Sequence, residues 1–261
     1  MTSLKGFLID LDGVLYVENE LIPGAAETVN WLRQAGHPFR FLTNTTMRSR
    51  TALQEKLTGL GIEARAEEIF STCVVAARWL KQRDMQRIHF LLPEEPLKDF
   101  TEFEITDRNP DAVVVGDLGR NFNYDVLNRA FRLLKQGAQL VALQKNRFWQ
   151  TLDGLAMDVG AFVAALEYAA HTEAVVIGKP NRAYFEMALN DMELPAAKVA
   201  MVGDDLCTDI KGGRETGLKT ILVKTGKFQF DTLPGAEVEP DWIIDSIADL
   251  PGLLGSKNPS S

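Results

Sequence analysis

Two aspartates separated by a single residue, in the run Asp10-Leu11-Asp12-Gly13-Val14, follow a short apolar stretch near the start of the chain. Residues two apart on an extended backbone point the same way, so both carboxylates can face one site. Carboxylates held that close repel unless a proton or a cation separates them. A hard cation such as Mg²⁺ suits oxygen ligands and leaves part of its shell to water and phosphate. A strand end followed by an Asp-Gly turn is the plainer account of the same residues. A second acidic run, Gly203-Asp204-Asp205-Leu206-Cys207-Thr208-Asp209, again follows an apolar stretch. One aspartate suffices to cap a helix. The others are costly there without a cation or hydrogen-bond donors, so this loop reads as metal-binding.

Two further groups suit phosphate. Thr43-Asn44 offers a hydroxyl and backbone N–H groups, which hold phosphate oxygens well, although Thr45, Thr46 or Ser49 would also serve as a helix cap nearby. Lys179-Pro180 offers a point positive charge beside a proline that helps to start a helix. A solvated loop lysine is the alternative.

Strand-like runs precede these groups. Gly6–Ile9, Phe39–Leu42, Val113–Val115, Leu140–Leu143, Val175–Ile177, Val199–Val202, Thr220–Val223 and Trp242–Ile244 are short, apolar and often β-branched, as buried parallel strands are. Helical patterns lie between them: from Pro23 to Leu32, from Tyr124 to Lys135 with Leu127, Phe131 and Leu134 on one face, from Phe162 to Ala170, and after Asn181 with Tyr184, Phe185, Ala188 and Leu189 at helical spacing. Alternation of this kind predicts an α/β fold with a mainly parallel sheet. Ligands of such sheets bind beyond the carboxyl ends of the strands, where all four polar groups fall.

Composition narrows the partners. Thirty-six acidic residues against 28 basic ones give a net charge of −8, which argues against non-specific attraction to nucleic acid or an anionic membrane. His37, His89 and His171 are scattered, which disfavours zinc. Cys73 and Cys207 are expected to be buried packing residues in a reducing compartment. No apolar run reaches the roughly 18 residues of a membrane span, and no basic stretch with an apolar core opens the chain. These features predict a cytoplasmic protein. Residues 255–261 read as a disordered tail.

In their order, Asp10/Asp12, Thr43, Lys179 and Asp204/Asp209 resemble the haloacid dehalogenase (HAD) superfamily. The runs DLDGVLY, FLTNTT, VVIGKP, VGDDLCTDI and ILVKTGKF look like its NagD-like, class IIA branch, and within it the group containing the phospholysine phosphohistidine inorganic pyrophosphate phosphatase. The resemblance implies a Rossmann-like catalytic core from residues 1–78 and 178–261, with an inserted α/β cap of the C2a type across 79–177. It further implies an Mg²⁺-dependent phosphatase acting on a small phosphorylated metabolite. Asp10 would be the nucleophile that becomes an aspartyl phosphate, and Asp12 the general acid and base. Thr43, Asn44 and Lys179 would bind the phosphoryl group. Asp10, the Asp12 carbonyl and Asp204 would hold Mg²⁺, with Asp205 and Asp209 orienting that shell. The family likeness also allows a homodimer.

Lys145-Asn146-Arg147-Phe148-Trp149 follows an expected cap strand and mixes cationic with aromatic groups. Asn146 and Arg147 are the candidate specificity residues there, with a surface loop as the alternative. A phosphotransferase or mutase, which passes phosphate to an acceptor other than water, and a phosphate-binding regulatory protein with little turnover are the competing functions. A dinucleotide-binding domain is disfavoured because no G-x-G-x-x-G follows the first strand.

Overall fold

The computed structural model describes residues 4–151, 154–229 and 238–255, so the tail 256–261 lies outside the described residues. The chain forms two compact units. Met1–Thr43, Thr51–Phe70 and Lys179–Ser261 make the first; Asn44–Arg50 and Ser71–Gly178 make the second.

The first unit is built on a six-stranded sheet. Its strand order is Trp242–Ile244, Lys219–Val223, Val199–Gly203, Gly6–Asp10, Phe39–Thr43, Ile69–Ser71. The four pairings from Trp242–Ile244 through to Phe39–Thr43 are all parallel. Every residue of Gly6–Asp10 and of Val199–Gly203 is buried, which explains why these strands read as continuous apolar runs rather than alternating ones. The chain leaves the central strand for the neighbour on one side, Phe39–Thr43, and later returns to the neighbour on the other, Val199–Gly203. That reversal is a topological switch point, where open α/β sheets place their ligands. Register aligns the strand ends: Asp10 pairs with Leu42, Ile9 with Val202, and Gly203 with Leu222. The polar groups after these strands therefore share one edge of the sheet.

Helix Ala25–Gln34 starts two residues after Pro23, with Gly24 at φ 80° in the left-handed region before it. The proline therefore precedes the helix instead of opening it. Helix Arg182–Met192 begins as the sequence suggests, with the Asn181 side chain accepting a hydrogen bond from Ala183 N–H at 2.9 Å. Its Tyr184, Phe185, Ala188 and Leu189 are buried, as helical spacing requires of a packed face.

The second unit has its own five-stranded parallel sheet, in the order Val175–Val176, Gln139–Ala142, Ala112–Val115, Arg87–Leu91, Glu104–Ile105. Helices Tyr124–Lys135 and Gly160–Ala170 contribute Leu133, Leu134, Val163 and Leu166 to a core with Val113 and Val115. The first of these helices has the bounds expected from the sequence, but its buried residues are Ala130, Leu133 and Leu134. Leu127 and Phe131 only flank that core, so the apolar face is rotated from the expected one. An antiparallel ribbon joins Phe148–Thr151 to Gly154–Met157. Among the described residues, no helix is long and apolar enough to cross a membrane.

Candidate active site

The central strand ends on Asp10, which is 7% exposed. Lys179 Nζ lies 2.7 Å from Asp10 Oδ1 and 2.6 Å from Asp209 Oδ1. All three side chains are buried, Asp209 completely. Asp10, Asp204 and Asp209 each present a carboxylate oxygen within 4.8 Å of the others. Sequence-distant residues from the Asp10 group, Lys179 and the Asp204–Asp209 loop thus meet at one point of the sheet edge.

Local structure explains how Asp209 and Asp204 reach it. Asp205 Oδ1 accepts hydrogen bonds from Cys207 N–H (2.8 Å) and Thr208 N–H (3.1 Å), capping a π-helical turn over Leu206–Ile210. Turns of this wide type recur at functional sites. The turn brings Asp209 back over Gly203, where any Cβ would collide with the Asp209 carboxylate. Gly13 (φ 84°) and Gly226 (φ 61°) close in the same way on Asp204 Oδ2. Lys227 N–H donates to that oxygen at 2.7 Å, and Lys227 Nζ lies 2.9 Å from Asp205 Oδ2. Thr225 Oγ1 donates to Gly13 O. The acidic loop is therefore locked to the turn after Asp10 by the segment Thr225-Gly226-Lys227.

Asp12 differs from its neighbour two residues away. Its side chain is exposed, and Tyr16 OH donates to its Oδ2 at 3.4 Å. It is absent from the carboxylate cluster among the described residues. Thr43 is buried at the end of its strand. Tyr184 OH accepts from Thr43 N–H at 3.1 Å and shares its hydrogen between Thr43 O (3.0 Å) and Phe70 O. Asn44 begins the second unit, where its Oδ1 packs close to Gly178. Asn146 and Arg147 also belong to the second unit. Asn146 is half-buried and Arg147 exposed. Their loop is held by Gln144, whose Nε2 donates to Asp158 Oδ1 at 2.8 Å and whose Oε1 accepts from Asn146 N–H at 2.5 Å. Trp149 lies among the residues whose side chains are not described. Cys73 is buried as expected, but Cys207 is exposed, because it sits on the outer side of the π-helical turn.

The electrostatics follow from burial. Loss of hydration pushes Asp209 up to about 7, with Lys179 opposing and Asp10 reinforcing the shift. Asp204 is raised well above the usual carboxylate range by burial and then by Asp10 and Asp209. Burial also raises Asp10, against the pull of Lys179. Burial disfavours the Lys179 ammonium, but Asp10 and Asp209 overcome that and hold it charged. The protein around Asp12 withholds hydration and lifts its carboxyl too, opposed chiefly by Lys56.

Three buried carboxylates against one ammonium leave an excess of negative charge, and buried charge is costly without compensation. Asp209 Oδ1 accepts no well-directed hydrogen bond despite the nearby Lys179. Among the described residues the donors are all hard oxygens, with no histidine or cysteine in the cluster. That set fits Mg²⁺ and not zinc.

Sequence reading missed Tyr16, Tyr184 and Lys227. Lys227 had a legible signal, since Lys224-Thr-Gly-Lys227 follows an expected strand just as the other polar groups do. The two tyrosines read as core aromatics, which their rings are; only the fold shows what their hydroxyls reach.

Comparison with known proteins gives a consistent picture. The family profile described as haloacid dehalogenase-like hydrolase matches residues 7–106, and the one described as HAD-hydrolase-like matches residues 176–250. The chain is 42% identical over 226 residues to haloacid dehalogenase-like hydrolase domain-containing protein 2 of Rattus norvegicus, covering 87% of this chain and 86% of that protein. It is 36% identical over 253 residues to the phospholysine phosphohistidine inorganic pyrophosphate phosphatase of Xenopus laevis, covering 94% and 93%. A solved p-nitrophenyl phosphatase from Archaeoglobus fulgidus superposes with a TM-score of 0.90 at 28% identity, covering 97% of this chain and all of that one.

Proposed function

The chain belongs to the haloacid dehalogenase-like hydrolase family, and on that premise we propose that this phosphatase hydrolyses a small phosphorylated metabolite through an aspartyl phosphate on Asp10, with Mg²⁺ as cofactor. The observation that carries the reading is the buried Asp10 carboxylate at the end of the central strand, 2.7 Å from Lys179 Nζ.

Asp10 is the nucleophile. Covalent catalysis splits hydrolysis into formation and breakdown of an acyl phosphate, each easier than the direct reaction. Lys179 opposes the burial that raises the Asp10 carboxyl, favouring its ionised form, and offsets the charge of an arriving phosphoryl group. Thr43, with its main chain fixed by Tyr184, presents its hydroxyl to a phosphoryl oxygen, and the Asn44 main chain assists. Phosphoryl transfer depends mainly on such positioning and charge neutralisation. Asp12, exposed where Asp10 is buried, protonates the departing oxygen. It then removes a proton from the water that attacks the aspartyl phosphate, so one group serves both halves of the cycle.

Asp10, Asp204 and the Asp12 carbonyl would hold Mg²⁺, with Asp205 and Asp209 fixing the orientation of that set. When bound, the ion supplies positive charge for the phosphoryl oxygens. The first unit acts as catalytic core and the inserted second unit as cap, with Asn146 and Arg147 as its specificity residues. The names of two relatives, a p-nitrophenyl phosphatase and a phosphatase of phospholysine, phosphohistidine and pyrophosphate, suggest the panel to screen.

The test is release of inorganic phosphate from phosphomonoesters, pyrophosphate and phosphoamides, with Mg²⁺, with EDTA, and with Asp10→Asn. Turnover that requires Mg²⁺ and vanishes in the variant is expected. Transfer of phosphate to an acceptor without release of inorganic phosphate would replace hydrolysis with a phosphotransferase reaction.

A further inference from the structure

We propose that Tyr16 is a positioning residue for the general acid, selecting which oxygen of Asp12 faces the leaving group; this rests on the role given to Asp12 above. Two independent contacts join the residues. Tyr16 OH donates to Asp12 Oδ2 at 3.4 Å. On the main chain, Asp12 forms a parallel bridge with Tyr16, and Gly13 N–H donates to Tyr16 O at 2.8 Å. Tyr16 therefore braces the turn that carries Asp12 and also reaches the Asp12 carboxylate.

The side chain is well suited to this. Its ring is 1% exposed and belongs to the hydrophobic core of the first unit, so it cannot follow Asp12 into solvent. Asp12 itself is exposed, and Tyr16 OH is the hydrogen-bond partner its carboxylate has among the described contacts. An exposed carboxylate samples several orientations, whereas a proton donor must be aligned with the leaving oxygen. The hydroxyl at Oδ2 leaves Oδ1 as the oxygen presented to the leaving group. The 3.4 Å separation is long, as catalytic hydrogen bonds often are before substrate tightens them.

Lys56 completes the arrangement. It comes from helix Arg50–Gly59, and its Nζ lies 3.7 Å from the centroid of the Tyr16 ring. A cation on the ring face is attracted by its π-electrons and draws density from the phenol, which makes the hydroxyl a better donor. Helix, core tyrosine and exposed aspartate form one chain within the first unit.

The consequence is a dependence on leaving group. A phenol as acidic as p-nitrophenol departs with little help from a general acid, while an alkoxide or an unsubstituted phenoxide needs its proton. Tyr16→Phe keeps the ring in the core and deletes only the hydroxyl. The expected result on phenyl phosphate or an alkyl phosphate is a fall of about tenfold in kcat/KM, the scale of one lost orienting hydrogen bond. This ratio reports the step that expels the leaving group and not the later hydrolysis common to all substrates. On p-nitrophenyl phosphate the fall is about twofold. A plot of log kcat/KM against leaving-group acidity across substituted aryl phosphates becomes steeper in the variant. Lys56→Met, at a half-buried position, should move the slope the same way by a smaller amount. Because Lys56 also acts on Asp12 directly, the part carried by Tyr16 is the part lost when the substitution is made in Tyr16→Phe, and the single variant serves if Tyr16→Phe folds poorly.

Asp12→Asn distinguishes the two levels of the argument. If it removes turnover while Tyr16→Phe retains the wild-type slope, the role of Tyr16 is overturned and that of Asp12 stands. If Asp12→Asn leaves turnover on poor leaving groups intact, the assignment of Asp12 fails and this inference with it. A uniform loss across all leaving groups in Tyr16→Phe would show a merely structural tyrosine.

Discussion

Lys179 Nζ and Asp10 Oδ1 stand 2.7 Å apart, although 169 positions separate the residues in sequence. The contact joins the loop before helix Arg182–Met192 to the end of the central strand, and it is the sole ammonium in contact with the buried carboxylate cluster among the described ion pairs. Removing one partner of a buried pair leaves the other uncompensated, at about 3–5 kcal/mol. Lys179→Met should therefore destabilise the metal-free protein by that order in urea denaturation. It should also lower phosphate release by at least about a hundredfold, the scale of one lost electrostatic contact to a reacting group. Wild-type stability in EDTA would contradict the pairing.

The raised carboxylates predict an unusual pH response. Asp209 binds its proton near 3.8 when unperturbed and at about 7 in the fold, and Asp10 and Asp204 shift in the same direction. Over that window the folded state holds more protons than the unfolded one, so stability falls as pH rises from about 4 towards 7. In EDTA, Tm should be higher at pH 5 than at pH 8. Mg²⁺ needs the ionised ligands, so its addition should raise Tm more at pH 8 than at pH 5. It should also release protons into a weakly buffered solution at pH 6. An equal Mg²⁺ response at both pH values would rule out a cation at this cluster.

Gly203→Ala places a methyl group against the Asp209 carboxylate. Forced displacement in a packed interior costs about 1–3 kcal/mol. The variant should need several times more Mg²⁺ for half-maximal activity, because the moved group is a carboxylate of the cluster. Titration of activity and of Tm against Mg²⁺ checks both effects.

Tyr184→Phe removes the hydroxyl that satisfies the Thr43 main chain and Phe70 O. A loss of about 1–3 kcal/mol is expected from the unsatisfied groups. Since the Thr43 main chain is what the hydroxyl fixes, KM for the phosphorylated substrate should rise as well. Unchanged denaturation and KM would show that the rest of the strand end holds Thr43 unaided.

The strand framework was legible because buried parallel strands are apolar throughout, as Gly6–Asp10 and Val199–Gly203 are. Strand Arg87–Leu91 escaped notice because Arg87 and His89 interrupt its apolar pattern, and both are only partly covered. Ile69–Ser71 is too short to show a period, and the hairpin of Tyr16–Val17 with Glu20–Leu21 lies within a run dominated by its neighbouring motif. Helix Arg50–Gly59 buries just Leu53 and Leu57, which gives too narrow a stripe to detect. The motif aspartates and Lys179 could be found from residue type and placement after strands. Their meeting at one point could not, since it depends on strand order and on the π-helical turn that carries Asp209. The bracing by Tyr184 and Lys227 is tertiary and that by Tyr16 depends on the turn that follows Asp10, and none of these leaves a periodic trace.

Transfer of the phosphoryl group to Asp10 is tested by quenching the enzyme during turnover with Mg²⁺ and a phosphomonoester, trapping any acyl phosphate by borohydride reduction, and mapping the modified residue by peptide mass spectrometry. Reduction at Asp10 to homoserine is expected in wild type and none in Asp10→Asn. Turnover without modification of Asp10 under conditions where the intermediate accumulates, or trapping at another carboxylate, would contradict it.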